Sequence, residues 1–277
     1  MEKPKNGGEI MGFGSYSLLA TVSGKIKALG PMRIGAGKAL SIVTSDLPIV
    51  KNSRNDPVIL GSSLKGFFRG HLRRILLMKM DPRRADKLLE EIFGGTGDND
   101  NASAILFHEV SMKEGRLAER KHIKINPETG GVQNLFEVEC VLDGAVFEGK
   151  LLSARNLNPK ALGLLKTVMD LANLGLARLG GFKSRGYGEI SFEISEISVI
   201  FPGKSLEDLK AGFEVRNLIP EGFGTIEVKA SNGRVSIEGS ILKAEIQENA
   251  TFFGIEMKLK EYEATKFLDS MLKLVKL

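Results

Sequence analysis

The segment that most restricts what this chain can fold into is Gly61-Ser-Ser-Leu-Lys-Gly-Phe-Phe-Arg-Gly-His-Leu-Arg-Arg74. Projected at about 100° per residue, Leu64, Phe67, Phe68, Leu72, Ile75 and Met78 fall on one arc, so a helix here must bury that arc against another layer. Ser62 or Ser63 is placed to cap it, and the pattern runs to about Met80. From Gly61 to Met80 there are five Lys or Arg and no Asp or Glu. Lys65, Arg69 and Arg73 recur every fourth residue along one edge of the apolar arc. Gly66 and Gly70 interrupt the helix at a cost of about 1 kcal/mol each relative to alanine. Glycines beside a cationic stripe make sense where a polyanion backbone must lie close to the helix. The competing reading is a solvated basic face with glycines serving helix packing.

Around this helix the chain reads as alternating elements. Ser17 to Leu29 is a first strand, and Asp81-Pro82 starts a second helix that ends at Phe93. Strands are expected at Ala104–Val110 and Leu135–Leu142, and a helix over Asn158–Leu176. A last strand covers Ile190 to Phe201, where a phase slip between Ile194 and Ile197 marks a bulge. Strand, helix, strand, strand, helix, strand is the ferredoxin-like plan, an α+β fold. Lys113 to Asn134 is a polar, basic insertion. Beyond Phe213 come a hairpin on Asn232-Gly233 and an amphipathic helix from about Tyr262. The expected division is a flexible tail over residues 1–11, one main domain over 12–212 with its insertion at about 113–134, and a C-terminal extension over 213–277.

Several function classes are disfavoured. No run approaches the roughly 18 apolar residues of a membrane span, and the N-terminus leads into no apolar signal segment. The single cysteine, Cys140, sits in a strand pattern without basic neighbours and reads as a buried structural thiol in a reducing, cytoplasmic setting. The glycine-rich stretch Leu179-Gly-Gly-Phe-Lys-Ser-Arg-Gly-Tyr-Gly-Glu-Ile190 joins a helix to a strand, the reverse of a dinucleotide fingerprint. Phe182 breaks any Walker pattern there, and Gly35-Ala-Gly-Lys38 lacks the flanking residues such a loop requires. The three histidines, His71, His108 and His122, form no zinc spacing. Asp98-Asn-Asp-Asn101 lacks the remainder of a calcium loop and reads as a turn. What remains is a loop whose glycines admit phosphates while Lys183 and Arg185 supply charge.

Taken together these residues resemble the RAMP superfamily of CRISPR effector proteins, and within it the backbone subunit of type III complexes. The likeness rests on Met32-Arg-Ile-Gly35, Ser45-Asp-Leu-Pro-Ile-Val50 and Pro57-Val-Ile-Leu-Gly-Ser-Ser-Leu-Lys-Gly66 with Arg69. Ile92-Phe-Gly94, Ile105-Leu-Phe107 and Gly180-Gly-Phe-Lys-Ser-Arg-Gly-Tyr-Gly188 complete it. The resemblance implies a ferredoxin-like (RRM-like) RAMP palm with a thumb-like hairpin inserted at about Arg116–Gln133. It implies that Ser63, Lys65 and Arg69 contact a guide RNA, together with the loop around Lys183 and Arg185. Arg73 from the cationic stripe, Lys121, His122 and Lys124 from the insertion, and Ser184 from the loop complete the expected RNA-binding set. In slicing members one aspartate before a Pro-Val or Pro-Ile step cuts target RNA with a divalent metal, and Asp46 occupies that place, with Mg²⁺ the expected ion. The implied partners are CRISPR guide RNA and target RNA, copies of the chain itself and other effector subunits, with no membrane. Two alternatives stand beside this reading. One is a structural RNA-binding subunit without cleavage; the other is a precursor-RNA processing ribonuclease using His71 or His122 as general base.

Overall fold

The computed structural model describes residues 15–37, 45–95, 102–216, 219–220, 222–249 and 254–275. The expected N-terminal tail and the Asp98–Asn101 turn lie outside them. Strand β1 (Leu19–Ala28) sets every second residue into the core, as a strand covered on one face must. Then follow β2 (Val58–Ile59), α1 (Gly61–Leu76), α2 (Pro82–Phe93), β3 (Ile105–Phe107) and β4 (Val110–Glu114). A ribbon of β5 (Leu117–Ile125) and β6 (Val132–Val141) precedes β7 (Val146–Arg155), α3 (Pro159–Asn173) and β8 (Ile190–Phe201). The remainder comprises α4 (Leu206–Ala211), β9 (Phe213–Arg216), β10 (Thr225–Ser231), β11 (Arg234–Ile237), β12 (Ser240–Leu242), β13 (Glu245–Asn249), β14 (Gly254–Lys260) and α5 (Glu261–Lys273).

Within the large sheet, neighbouring strands run β8, β1, β7, β3, each pair antiparallel. With α1 between β1 and β3, and α3 between β7 and β8, this is the ferredoxin-like βαββαβ arrangement. One strand was assigned differently from sequence. The sheet position expected of Leu135–Leu142 is filled by β7, while that segment lies in β6 and pairs with β5. The reason is local: β7 contains Gly149 at φ 156° and shifts register against β1, so its alternation breaks in mid-strand. The bulge expected in β8 is present. Ser23 pairs with Glu196 and Gly24 with Ile194, leaving Ser195 as the extra residue.

Helix α1 begins at Gly61 after Leu60, with no side-chain cap, so neither Ser62 nor Ser63 caps it. It ends at Leu76 instead of near Met80, because Leu76 takes the last core position and Met78 is 80% exposed. Asp81 then accepts from the Arg84 N–H to cap α2, with Pro82 at the first position as expected. Phe67 and Phe68 of α1 meet Phe192 of β8, and Phe68 stacks on Phe107 of β3 at 5.3 Å, which fixes the helix against the sheet.

The C-terminal part contains the expected hairpin, whose turn residues Asn232 and Gly233 both have positive φ, and the expected helix α5. It also extends the palm. β14 pairs with β8, β13 pairs with β14, and α5 packs on α3. At that crossing Gly163 faces the backbone of Leu272, where any Cβ would collide. Val215, Ile226, Val235 and Leu242 from the four-stranded sheet β12-β11-β10-β9 are buried in the same core as the palm.

Candidate nucleic-acid interface

A groove of about 360 Å³ runs along one side of α1. Its floor is two rows of helix positions four apart, Ser63-Phe67-His71 and Gly66-Gly70-Arg74, and its other lining includes Gly180, Gly181 and Lys183 of the glycine loop with Arg33 and Gly35. A Cβ built on Gly66 or Gly70 meets nothing within 4 Å. The chain's own packing therefore gives no reason for either glycine, and both floor an open channel. Arg74 and Lys183 are exposed, and among the described residues neither makes an ion pair. His71 is half-buried against Phe67 and is held below the usual histidine range by burial, with Arg74 and Lys183 adding to the effect.

Of the residues assigned to RNA from sequence, the groove gathers Ser63 and Lys183. The stripe Lys65-Arg69-Arg73 is outside its lining, on the next helix row. Arg73 pairs with Asp86 of α2 through Nε and Nη2 at 2.7 and 3.1 Å, and Arg69 donates to the Gly94 carbonyl at 3.4 Å. The second and third of those cations thus hold the end and face of α2, and Lys65 is half-buried beside them. The cation that sequence reasoning passed over is Arg74, although its spacing from Gly66 and Gly70 already set it on the glycine row.

The glycine loop is shaped by backbone conformations that favour glycine. Gly180, Gly186 and Gly188 have φ of 92°, 87° and 83°, and a Cβ at Gly180 or Gly188 would strike a main-chain carbonyl. Phe182 also has positive φ, at 55°, and its ring is covered by cations, Arg185 at 4.9 Å and Arg33 at 5.5 Å. His122 of the ribbon stacks between Phe136 and Phe182, each at 5.6 Å, and its Nε2 is 2.9 Å from the Tyr187 hydroxyl. Tyr187 is only 2% exposed and lies under Arg120. His122 therefore fastens the base of the ribbon to the loop, and burial, Arg185 and Arg120 all favour its neutral form. Lys121 pairs with Glu137 across the ribbon, while Lys124, Ser184 and Arg185 are exposed. Cys140 is buried in β6, as its pattern indicated, and burial pushes its thiol up.

Asp46 is exposed on a segment carried by β6. Leu47 bridges Val138, the Leu47 N–H donates to the Glu137 carbonyl, and Ser45 Oγ donates to that same carbonyl. The Glu137 N–H donates to Asp46 Oδ2 at 2.9 Å, and among the described residues Oδ1 accepts no hydrogen bond. Among the described residues no three His, Cys, Asp or Glu side chains form a metal cage. A lone carboxylate suits Mg²⁺, which takes one or two protein carboxylates and completes its shell with phosphates and water. The donor set therefore fits a metal only when a polyphosphate ligand shares it. His108 is remote from this cluster in sequence and bonds Ser153 Oγ through Nε2 at 2.8 Å.

A ferredoxin-like palm with an inserted ribbon clamped to a glycine loop, and an open cationic groove on its first helix, has the build of a RAMP-type protein. The sequence matches the RAMP superfamily over residues 25–191, more than half of the chain, and the chain belongs to that family. It is 25% identical over 205 residues to the CRISPR system Cms endoribonuclease Csm3 of Streptococcus thermophilus, covering 68% of this chain and 93% of that protein. Among solved structures it is similar to a chain of the Type III-B Cmr-beta complex bound to cognate target RNA, with 14% identity and a TM-score of 0.49, covering 65% of this chain and 98% of that one. No helix among the described residues is long and apolar enough to cross a membrane.

Proposed function

We propose that this protein is a guide-RNA-binding backbone subunit of a type III CRISPR effector complex that cuts target RNA at Asp46. The observation that carries the binding part is the groove on α1. Two mid-helix glycines face open space between Arg74 and Lys183, so a ribose-phosphate backbone can approach the helix main chain with cations on either side. The loop at Gly180–Gly188 forms the second wall, and Lys183, Ser184 and Arg185 present charge and a hydroxyl from it. The ribbon supplies Arg120 and Lys124 on the face where His122 fastens it to the loop; Ile123, Ile125, Val132 and Leu135 are exposed on the other. An apolar face beside a cationic one suits contact with bases as well as phosphates.

For cleavage, Asp46 would hold the ion through its carboxylate, which the Glu137 N–H fixes at Oδ2. The chemistry such a divalent ion would supply when bound is Lewis-acid stabilisation of charge at the scissile phosphate. The chain's own task is to fix the carboxylate and to hold RNA beside it. The relative named as an endoribonuclease supports this reading. The test is target-RNA cleavage by complexes assembled with Asp46→Ala, where cutting should fall about 100-fold or more, the usual scale for losing one group that stabilises a transition state. Guide content should stay unchanged. Undiminished cutting would reduce the protein to the second reading, a structural subunit, which the solitary position of Asp46 also accommodates. Tight, salt-sensitive and metal-independent binding without cleavage is the signature of that alternative.

A further inference from the structure

Arg33 is 9% exposed, an unusual depth for an arginine that makes no ion pair among the described residues. Its Nε and Nη2 donate to the carbonyls of Leu47 and Pro48, each at 3.3 Å, immediately after Asp46. Its guanidinium lies over the Phe182 ring, and its own carbonyl accepts the Gly181 N–H at 2.9 Å. The same side chain lines the groove. Its neighbour Gly35 is shaped around it, since a Cβ there would lie 2.6 Å from Arg33 Nη1. One side chain thus touches the groove, the glycine loop and the segment that carries the carboxylate. Leu47 and Pro48 are fixed on one side by β6 and on the other by Arg33 and the strand pairing of Ala36 N–H to Pro48 O.

We infer that Arg33 is a positioning residue that sets the Asp46 segment against the guide groove, through the planar fork it inserts between the carbonyls of Leu47 and Pro48. This rests on the cleavage reading above, but its first consequence is independent of cleavage. Lysine keeps the charge and loses the fork. In Arg33→Lys, hydrogen exchange of the amides over residues 45–51 should accelerate while α1 and the glycine loop keep their protection. Gly35→Ala should act likewise with Arg33 still present, because the added methyl displaces the guanidinium.

In assembled complexes, single-turnover cutting at saturating target should fall about 10- to 100-fold in both variants, the range a misplacement near 1 Å produces. Because Arg33 and Gly35 also line the groove, cutting is compared per bound guide and bound target, so that a loss of binding is read separately from a loss of cutting. Unchanged exchange over 45–51 in both variants overturns the inference, whatever happens to cutting. So does loss of guide with exchange unaltered, since Arg33 would then be an RNA contact only. If Asp46→Ala complexes still cut, the cleavage reading fails alone, and accelerated exchange in Arg33→Lys still establishes what Arg33 holds.

Discussion

The two long helices of the palm each carry glycine in mid-helix, and for opposite reasons. In α3, Gly163 lets the backbone of α5 come within contact, and a Cβ has no room. In α1, Gly66 and Gly70 look onto open space. Both sites forgo helix stability, but only α3 recovers it within the chain. A glycine that internal packing explains says nothing of partners; one that packing leaves unexplained, on a concave cationic face, points outward. On the proposed function, that difference, more than the positive charge itself, is the reason for assigning the guide to α1.

The comparison can be broken at several points. The largest effect is expected of Gly163→Leu, which should lower unfolding free energy by about 3 kcal/mol in a urea titration through overpacking against α5. An unaltered midpoint would mean that α5 yields and that the glycine is incidental. Next comes Gly70→Ala, which should raise stability by about 1 kcal/mol and weaken guide binding, two changes of opposite sign in one variant. A stabilised protein with full guide affinity would remove the argument from α1.

A finer distinction separates the neighbouring arginines. Arg74→Ala should reduce the slope of log affinity against log salt by about 0.7, one phosphate contact on a single strand. Arg73→Ala should leave that slope alone and instead lower the melting temperature slightly, because its guanidinium is held by Asp86. Equal slopes for the two variants would move the RNA to the other edge of the helix.

The smallest effect is in pH. Burial holds His71 below its ordinary value near 6.5, so the unfolded chain takes the proton more readily than the folded one. Stability contributed by the neutral side chain is therefore present above that range, and declines as pH falls through 6.5 and below. Phosphate in the groove opposes this by favouring the imidazolium. Guide affinity measured between about pH 7.5 and pH 6 should strengthen modestly on acidification, and His71→Gln should flatten that dependence.

Much of the palm was legible because its signals are local. The slip between Ile194 and Ile197 marked a bulge, which the structure puts at Ser195, and Asp81-Pro82 marked the start of α2. β7 was not, since Gly149 and the register shift break its period. Leu135–Leu142 imitated a sheet strand because its base, with Val138, Cys140 and Val141, is buried while Leu135 nearer the tip is exposed. At the site, charge counting alone favoured the row Lys65-Arg69-Arg73. Following the glycines gives the row that ends in Arg74. Arg33 carries no such signal, because its partners are carbonyls that only the tertiary fold brings near.

Asp46 lies on a segment held by β6 and by Arg33, outside the palm sheet, and among the described residues its carboxylate accepts a single hydrogen bond. Nothing in the core registers whether that position is an acid. On the proposed function, altering one codon there would silence or restore cutting without disturbing the scaffold. Lineages built on this plan should contain cutting and inert copies of equal stability, and the inert ones should give no outward sign in their melting curves.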